Sequence, residues 1–175
     1  MTRFVILLRA VNVGGRSLPM AALRDAARAE GFADIQTYIQ SGNIVLSSDA
    51  DAEAVEGAIE AIIHRGFGLR AEAIARSAER FAAVTAANPF PDGEPKRLHL
   101  CLAKRPPDPA ATVRLAERAR HGERVAIGGG ELWIDFAGGV GDSKLAPAVL
   151  DKAAGSTVTA RNWNTVQKLV AMTKA

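Results

Sequence analysis

The sequence has one cysteine, few aromatic residues and no long apolar run, and each shortage removes a class of protein. A lone Cys101 forms no internal disulfide, so the fold is not a cross-linked secreted scaffold, and no metal or redox motif surrounds it. A buried structural thiol in a strand is expected instead. The longest apolar stretches, such as Phe4 to Leu8 and Ile44 to Leu46, fall far short of the roughly 18 to 20 residues that cross a bilayer. No membrane partner is expected. Met1 leads straight into an apolar strand ending at Arg9, without the basic n-region, long h-region and small-residue cleavage site of a signal peptide. A cytoplasmic location is the resulting expectation.

Motifs for catalysis are missing too. The three histidines, His64, His99 and His121, share no metal-ligand spacing, so no metal and no other cofactor is expected. Neither Ser41 nor Ser143 lies in a G-x-S-x-G elbow, and no catalytic residue is assigned. The dinucleotide fingerprint G-x-G-x-x-G is absent. The run Gly138, Gly139, Gly141, Asp142, Ser143, Lys144 has glycines before a lysine, but Lys144 follows Ser143 and no Gly-Lys pair occurs, which fails the P-loop pattern.

What is present is an ordinary globular composition, 48% hydrophobic and 23% charged, with ample material for a packed core. A length of 175 residues fits one large domain or two small ones. The net charge of +3 is mildly basic, and Arg24, Arg28, Arg65, Arg114, Arg118 and Arg120 alternate with acids along helical stretches, as on solvated faces. Nucleic acid is therefore only weakly supported as a partner.

The chain reads as two copies of one pattern. Arg3 to Arg9 is a short run rich in Val, Ile and Leu, a strand buried on both faces. Pro19 then starts a helix with Met20, Leu23, Ala26 and Ala27 on one side and Gly31 at its end. Ile35 to Gln40 and Ile44 to Ser47 form a hairpin around Ser41, Gly42 and Asn43. Asp49 or Asp51 caps a second helix carrying Val55, Ile59, Ile62 and Ile63, stopped by Gly66, and Leu69 to Ala75 is a weaker strand. Ser77 caps a further helix through about Ala87, and Asn88 to Gly93, rich in Pro, Asp and Gly, reads as a linker.

The order then repeats. Leu98, Leu100 and Leu102 alternate in a strand, and Asp108 with Pro109 starts a helix through about Arg120. Val125 to Ile127 and Leu132 to Phe136 flank a glycine turn at 128–130, and Asp142 or Ser143 starts a helix that Gly155 ends. Thr157 to Ala160 is the last strand and Thr165 to Thr173 the last helix. The expected fold is α+β, two tandem ferredoxin-like βαββαβ units, each followed by a helix. Residues 1–88 form the first unit, 89–96 a linker and 97–175 the second unit.

In a βαββαβ unit the connections gather at two ends. Arg9, Asn12, Gly14, Gly15 and Arg16 precede a helix, and Gln40, Ser41 and Asn43 lie at the same end of the first unit. Glycines let backbone N–H groups approach an anion, and arginine adds a planar fork of donors. Ser143, Lys144, Arg161, Asn162, Trp163 and Asn164 gather at one end of the second unit. For these last four the competing account is a helix capped by Asn162 or Asn164 beside a core Trp163. RRM-like stacking has little to work with, since the first unit's strands offer Val5, Leu7, Ile44, Val45 and Leu46, and only Trp133 serves in the second.

The stretches LLRAVNVGGRSLPM, TYIQSGNIVLSS, GDSKL and TARNWNTVQKL, from Leu7 to Leu169, resemble the bacterial domain of unknown function 1697 family, and RNWNTV is the most specific of them. The resemblance implies a two-subdomain α+β fold and brings no established activity. This chain departs from the pattern with Ala10 where glycine is usual and with Asp142 before the Ser-Lys pair. The function expected from the residues is binding of a small anionic or phosphate-bearing ligand in a groove between the two units. An enzyme acting on such a ligand, or an interaction scaffold that forms homodimers, is the alternative.

Overall fold

The computed structural model describes every residue except Ala10, Val13, Gly14 and Arg16. The chain divides into two compact units, Met1–Phe81 with Leu169–Ala175, and Ala82–Lys168. The C-terminal segment thus groups with the first unit, whereas a simple tandem division at 88 and 97 assigns it to the second.

The first unit runs β1 (Thr2–Arg9), α1 (Met20–Ala29), β2 (Ala33–Tyr38), β3 (Asn43–Ser48), α2 (Ala52–Phe67) and β4 (Glu72–Ser77). After α3 (Ala78–Ala86), the second repeats it as β5 (Leu98–Ala103), α4 (Ala111–Arg118), β6 (Arg124–Gly128), β7 (Glu131–Asp135), α5 (Pro147–Ala154) and β8 (Val158–Asn162). The last helix is α6 (Trp163–Thr173). Both sheets are antiparallel, in the orders β2-β3-β1-β4 and β6-β7-β5-β8. Element by element the two orders are the same, so the α+β duplication expected from the sequence is the fold.

Side-chain alternation divides each sheet between two buried faces. Phe4, Ile6 and Leu8 of β1 join Ile44, Leu46, Ala73 and Ala75 beneath Leu23 of α1 and Ile59 and Ile63 of α2. Val5, Leu7, Val45 and Ile74 point the other way and are buried as well. On that face Arg3 Nη2 donates to the Met172 carbonyl of α6 at 3.4 Å. In the second unit Cys101, Ala103, Leu132 and Ile134 pack with Leu115 of α4 and Leu150 of α5. On the opposite face Trp133 stands 5.8 Å from Trp163, ring centre to ring centre.

Local chemistry sets the helix ends, which differ from the expectation at the end of α2 and at the starts of α4 (Ala111), α5 and α6 (Trp163). Gly66 does not stop α2; the helix continues until Gly68 turns left-handed (φ 67°) and donates its N–H to the His64 carbonyl at 3.0 Å. The short extension lets Phe67 pack against the core. Neither Asp142 nor Ser143 starts α5, which begins at Pro147. The residue before a proline avoids the helical region, and Ala146 is extended (φ −74°, ψ 162°), so Asp142 to Ala146 stay outside the helix. Two expected caps are present. Asp51 accepts from Ala54 N–H at 2.8 Å, and Ser77 Oγ accepts from Arg80 N–H at 3.1 Å. Among the described residues no helix is long and apolar enough to cross a membrane.

Candidate functional site

Asn12 organises the end of the first unit where the β1–α1 loop meets the β2–β3 turn. Its Nδ2 donates to the Leu18 carbonyl at 3.0 Å and to the Gln40 carbonyl at 2.6 Å. Its Oδ1 accepts the Leu18 N–H at 2.7 Å. One side chain therefore closes the loop on itself and ties it to the turn. Asn12 holds a left-handed backbone (φ 56°), which asparagine tolerates better than most residues. Asn43 does the same work one layer deeper. It is fully buried, and its Nδ2 donates to the Tyr38 carbonyl at 2.9 Å and to Ser41 Oγ at 3.0 Å.

These bonds leave a different set of groups facing outward. Gln40 and Ser41 are exposed, and Gly15 is exposed and left-handed (φ 81°) with open space where a Cβ would stand. Arg9 ends β1 directly across from Glu72 of β4. Gly14 and Arg16 lie outside the described residues. Gly42, between Ser41 and Asn43, is a packing glycine: a Cβ there would meet Leu8 Cβ at 2.7 Å and Val11 Cγ2 at 2.8 Å. Sequence reasoning missed Ile39, which is left-handed (φ 51°) and half exposed in the same turn. No sequence signal marks it, because a β-branched residue is among the last expected at positive φ.

The second unit's candidates separate into two kinds. Ser143 is tied into its own loop, with its hydroxyl donating to Glu123 Oε2 at 3.1 Å and accepting Leu145 N–H at 3.1 Å. Glu123 is held below the usual carboxylate range: partial burial pushes it up, but the N–H of His121, its own N–H and the Ser143 hydroxyl outweigh that. Because α5 starts later, Ser143 and Lys144 are not at a helix N-terminus, and the anion site expected there loses its helix contribution. Lys144 is exposed.

Arg161 of β8 is buried and donates to Thr159 Oγ1 at 2.7 Å and to the Ala160 carbonyl at 3.0 Å. Burial pulls its guanidinium down to about 10. Asn162 is the cap of α6, its Oδ1 accepting Thr165 N–H at 3.0 Å, and Trp163 packs on Trp133. Asn164 is exposed. The capping account thus holds for Asn162. Trp133 has no exposed surface and its indole N–H is bonded to the Gly128 carbonyl at 3.1 Å, so it offers no stacking face for a base.

Two further groups, Cys101 and His99, ionise away from their ordinary ranges. Cys101 is completely buried, and burial followed by the Glu131 charge pushes its thiol up to about 12. A thiolate does not form near neutral pH. His99 is lowered by burial, against the raising influence of the Arg97 carbonyl 2.9 Å from Nδ1, and Arg161 lowers it further. Its ring meets Phe136 edge-on, 5.0 Å between centroids. Among the described residues no group of three or more His, Cys, Asp or Glu side chains could hold a metal ion.

Comparison with known proteins agrees with this architecture. The family model for Protein of unknown function (DUF1697) matches residues 1–133. The chain belongs to this family. The match contains the first βαββαβ repeat and its loop–turn end, and stops before GDSKL and TARNWNTVQKL. Among solved structures, the conserved bacterial protein SP0830 from Streptococcus pneumoniae is similar over 98% of both chains, with 22% identity and a TM-score of 0.72. That likeness is one of fold. A search of the curated proteins gives no match.

Proposed function

We propose that this member of the family is a binding module for a small anionic ligand, taken up at the loop–turn end of the first unit. The Asn12 clamp carries the reading. By fixing both Leu18 and Gln40, it holds the exposed Gly15 backbone and the exposed Ser41 hydroxyl in place before a ligand arrives. Preorganised donors lose less freedom on binding. The sequence of the two segments favours an anion: residues 9–18 and 39–43 contain Arg9 and Arg16 and no Asp or Glu. Left-handed Asn12 and Ile39, on a residue type that resists it in the second case, are the kind of local strain that gathers at ligand sites. Glu72 is the cross-strand neighbour of Arg9, the nearest carboxylate in the strand register to that cation.

The test is a thermal-shift and calorimetric series on the whole chain with phosphate, pyrophosphate, nucleoside monophosphates, sugar phosphates and dicarboxylates. At least one is expected to raise the melting temperature in a saturable way. Arg9→Ala and Gly15→Val are expected to remove that rise. Lys144 and Asn164 are exposed in the second unit, and alanine variants of these two test separately whether either contributes to binding. No response to any of the anions would end the proposal.

A further inference from the structure

The two units share a topology but close their helix pairs differently. In the first, α1 and α2 span 10 and 16 residues, and Arg65 of α2 pairs with Glu30 just beyond α1 at 3.0 Å. Opposite charges latch that pair. In the second, α4 and α5 span only 8 residues each, so α5 is shorter than its counterpart by about two turns. A groove of about 730 Å³ is lined by the two short helices.

Its accessible apolar surface comes from Ala148 and Val149 of α5, while Leu115 and Ala153 on the lining are buried. Its rims are basic: Arg118 stands on α4 and Lys152 on α5, both exposed and neither in an ion pair with a described residue. Arg114, also on the lining, is already bonded to Asp108 at 2.8 Å and to the Ala153 carbonyl at 3.0 Å, and Glu117 is the one carboxylate there. A basic residue in the last turn of a helix complements the helix dipole, which accounts for Arg118 and Lys152 singly. It does not account for cations on both walls of one groove. Like charges facing each other repel until an anion lies between them.

We infer that the α4–α5 groove binds a small amphiphilic anion, its apolar body against Ala148 and Val149 and its carboxylate or phosphate head between Arg118 and Lys152. The volume falls within the roughly 300 to 1,000 Å³ of small-molecule sites. The methylene stems of the two cations extend the apolar walls while their heads stay in water. This site lies wholly in the second unit and does not depend on the loop–turn end of the first.

The experiment is an NMR titration of the isotope-labelled full chain with decanoate, decyl phosphate, uncharged decanol and inorganic phosphate. Decanoate, decyl phosphate or both are expected to move the amide signals of Leu115, Val149 and Lys152 saturably. Decanol and inorganic phosphate are expected to bind at least about tenfold more weakly, because each lacks half of the recognised chemistry. The double variant Arg118→Gln with Lys152→Gln, both exposed, is expected to keep the parental melting temperature and lose at least about tenfold in affinity. Decanol binding as tightly as decanoate, parental affinity in the double variant, or shifts confined to other residues would each overturn the inference. Signals moving at Asn12 or Ser41 would report the first unit's site instead.

Discussion

The side-chain amide of Asn12 donates to the backbone carbonyl of Gln40 at 2.6 Å, joining two connections that are distant in sequence at one end of the first sheet. Asn12→Ala breaks this bond and both bonds to Leu18 at once. A partly buried donor and acceptor left unpaired cost about 1 to 3 kcal/mol, and alanine is less at ease at φ 56°. The urea midpoint is expected to fall by about 2 kcal/mol of stability with an unchanged slope. Asn12→Asp keeps the acceptor for Leu18 N–H and is expected to lose less. A parental midpoint in Asn12→Ala would mean that the clamp is incidental.

Two left-handed glycines at this end separate backbone conformation from packing. Gly15 has open space at the Cβ position, so Gly15→Ala meets only the strain of φ 81°, about 1 to 2 kcal/mol. Gly42 has φ 89° and would drive its Cβ to 2.7 Å from Leu8 Cβ, itself fixed in β1. Overpacking adds about 1 to 3 kcal/mol to the same strain. Thermal unfolding of the two variants side by side is expected to show Gly42→Ala as clearly the less stable; equal losses would mean that the turn moves freely away from β1.

Much of this fold was legible because its signals are local. β1 reads as a strand from its unbroken run Phe4 to Leu8, and Asp51 and Ser77 announce their helices by cap chemistry alone. The start of α5 was misread because a glycine run followed by Ser143 and Lys144 has the look of a helix entry, while the decisive signal was the extended residue before Pro147. At the candidate site the limit is different. Asn12 and Asn43 have the composition of ligand-binding amides, yet their partners are backbone carbonyls and hydroxyls that only the folded chain brings within 3 Å. An amide that clamps a loop and an amide that grips a ligand look the same in a sequence.

Cys101 makes stability depend on alkaline pH. The thiol ionises near its ordinary value of 9.0 in the unfolded chain and at about 12 in the folded one, because burial opposes the charge. The folded state therefore keeps a proton that the unfolded state gives up. Its contribution is whole below about pH 9 and is lost as pH rises toward 12, by about 1.4 kcal/mol per pH unit once the unfolded thiol is ionised. Urea unfolding at pH 8, 9.5 and 10.5 is expected to fall more steeply in the parent than in Cys101→Ala, since other titrations are common to both. The native thiol is also expected to resist a disulfide reagent at pH 8 and to react on unfolding. Parallel pH profiles, or prompt native-state labelling, would contradict the burial of this side chain.

The RNWN segment carries two asparagines with opposite structural roles. Asn162 Oδ1 accepts Thr165 N–H at 3.0 Å and satisfies one of the orphan donors at the start of α6, whereas Asn164 is exposed one residue into the helix. Asn162→Ala is expected to cost about 1 kcal/mol, and Asn162→Asp to restore it, because a carboxylate both accepts the same bond and suits the positive end of the helix. Asn164→Ala is expected to stay within about 0.5 kcal/mol of the parent. Chemical denaturation of the three variants measures all of this directly. Equal and small effects at both positions would remove capping as the reason for Asn162, whereas a stability loss confined to Asn162 leaves Asn164 as the asparagine of this segment whose side chain is available for a ligand.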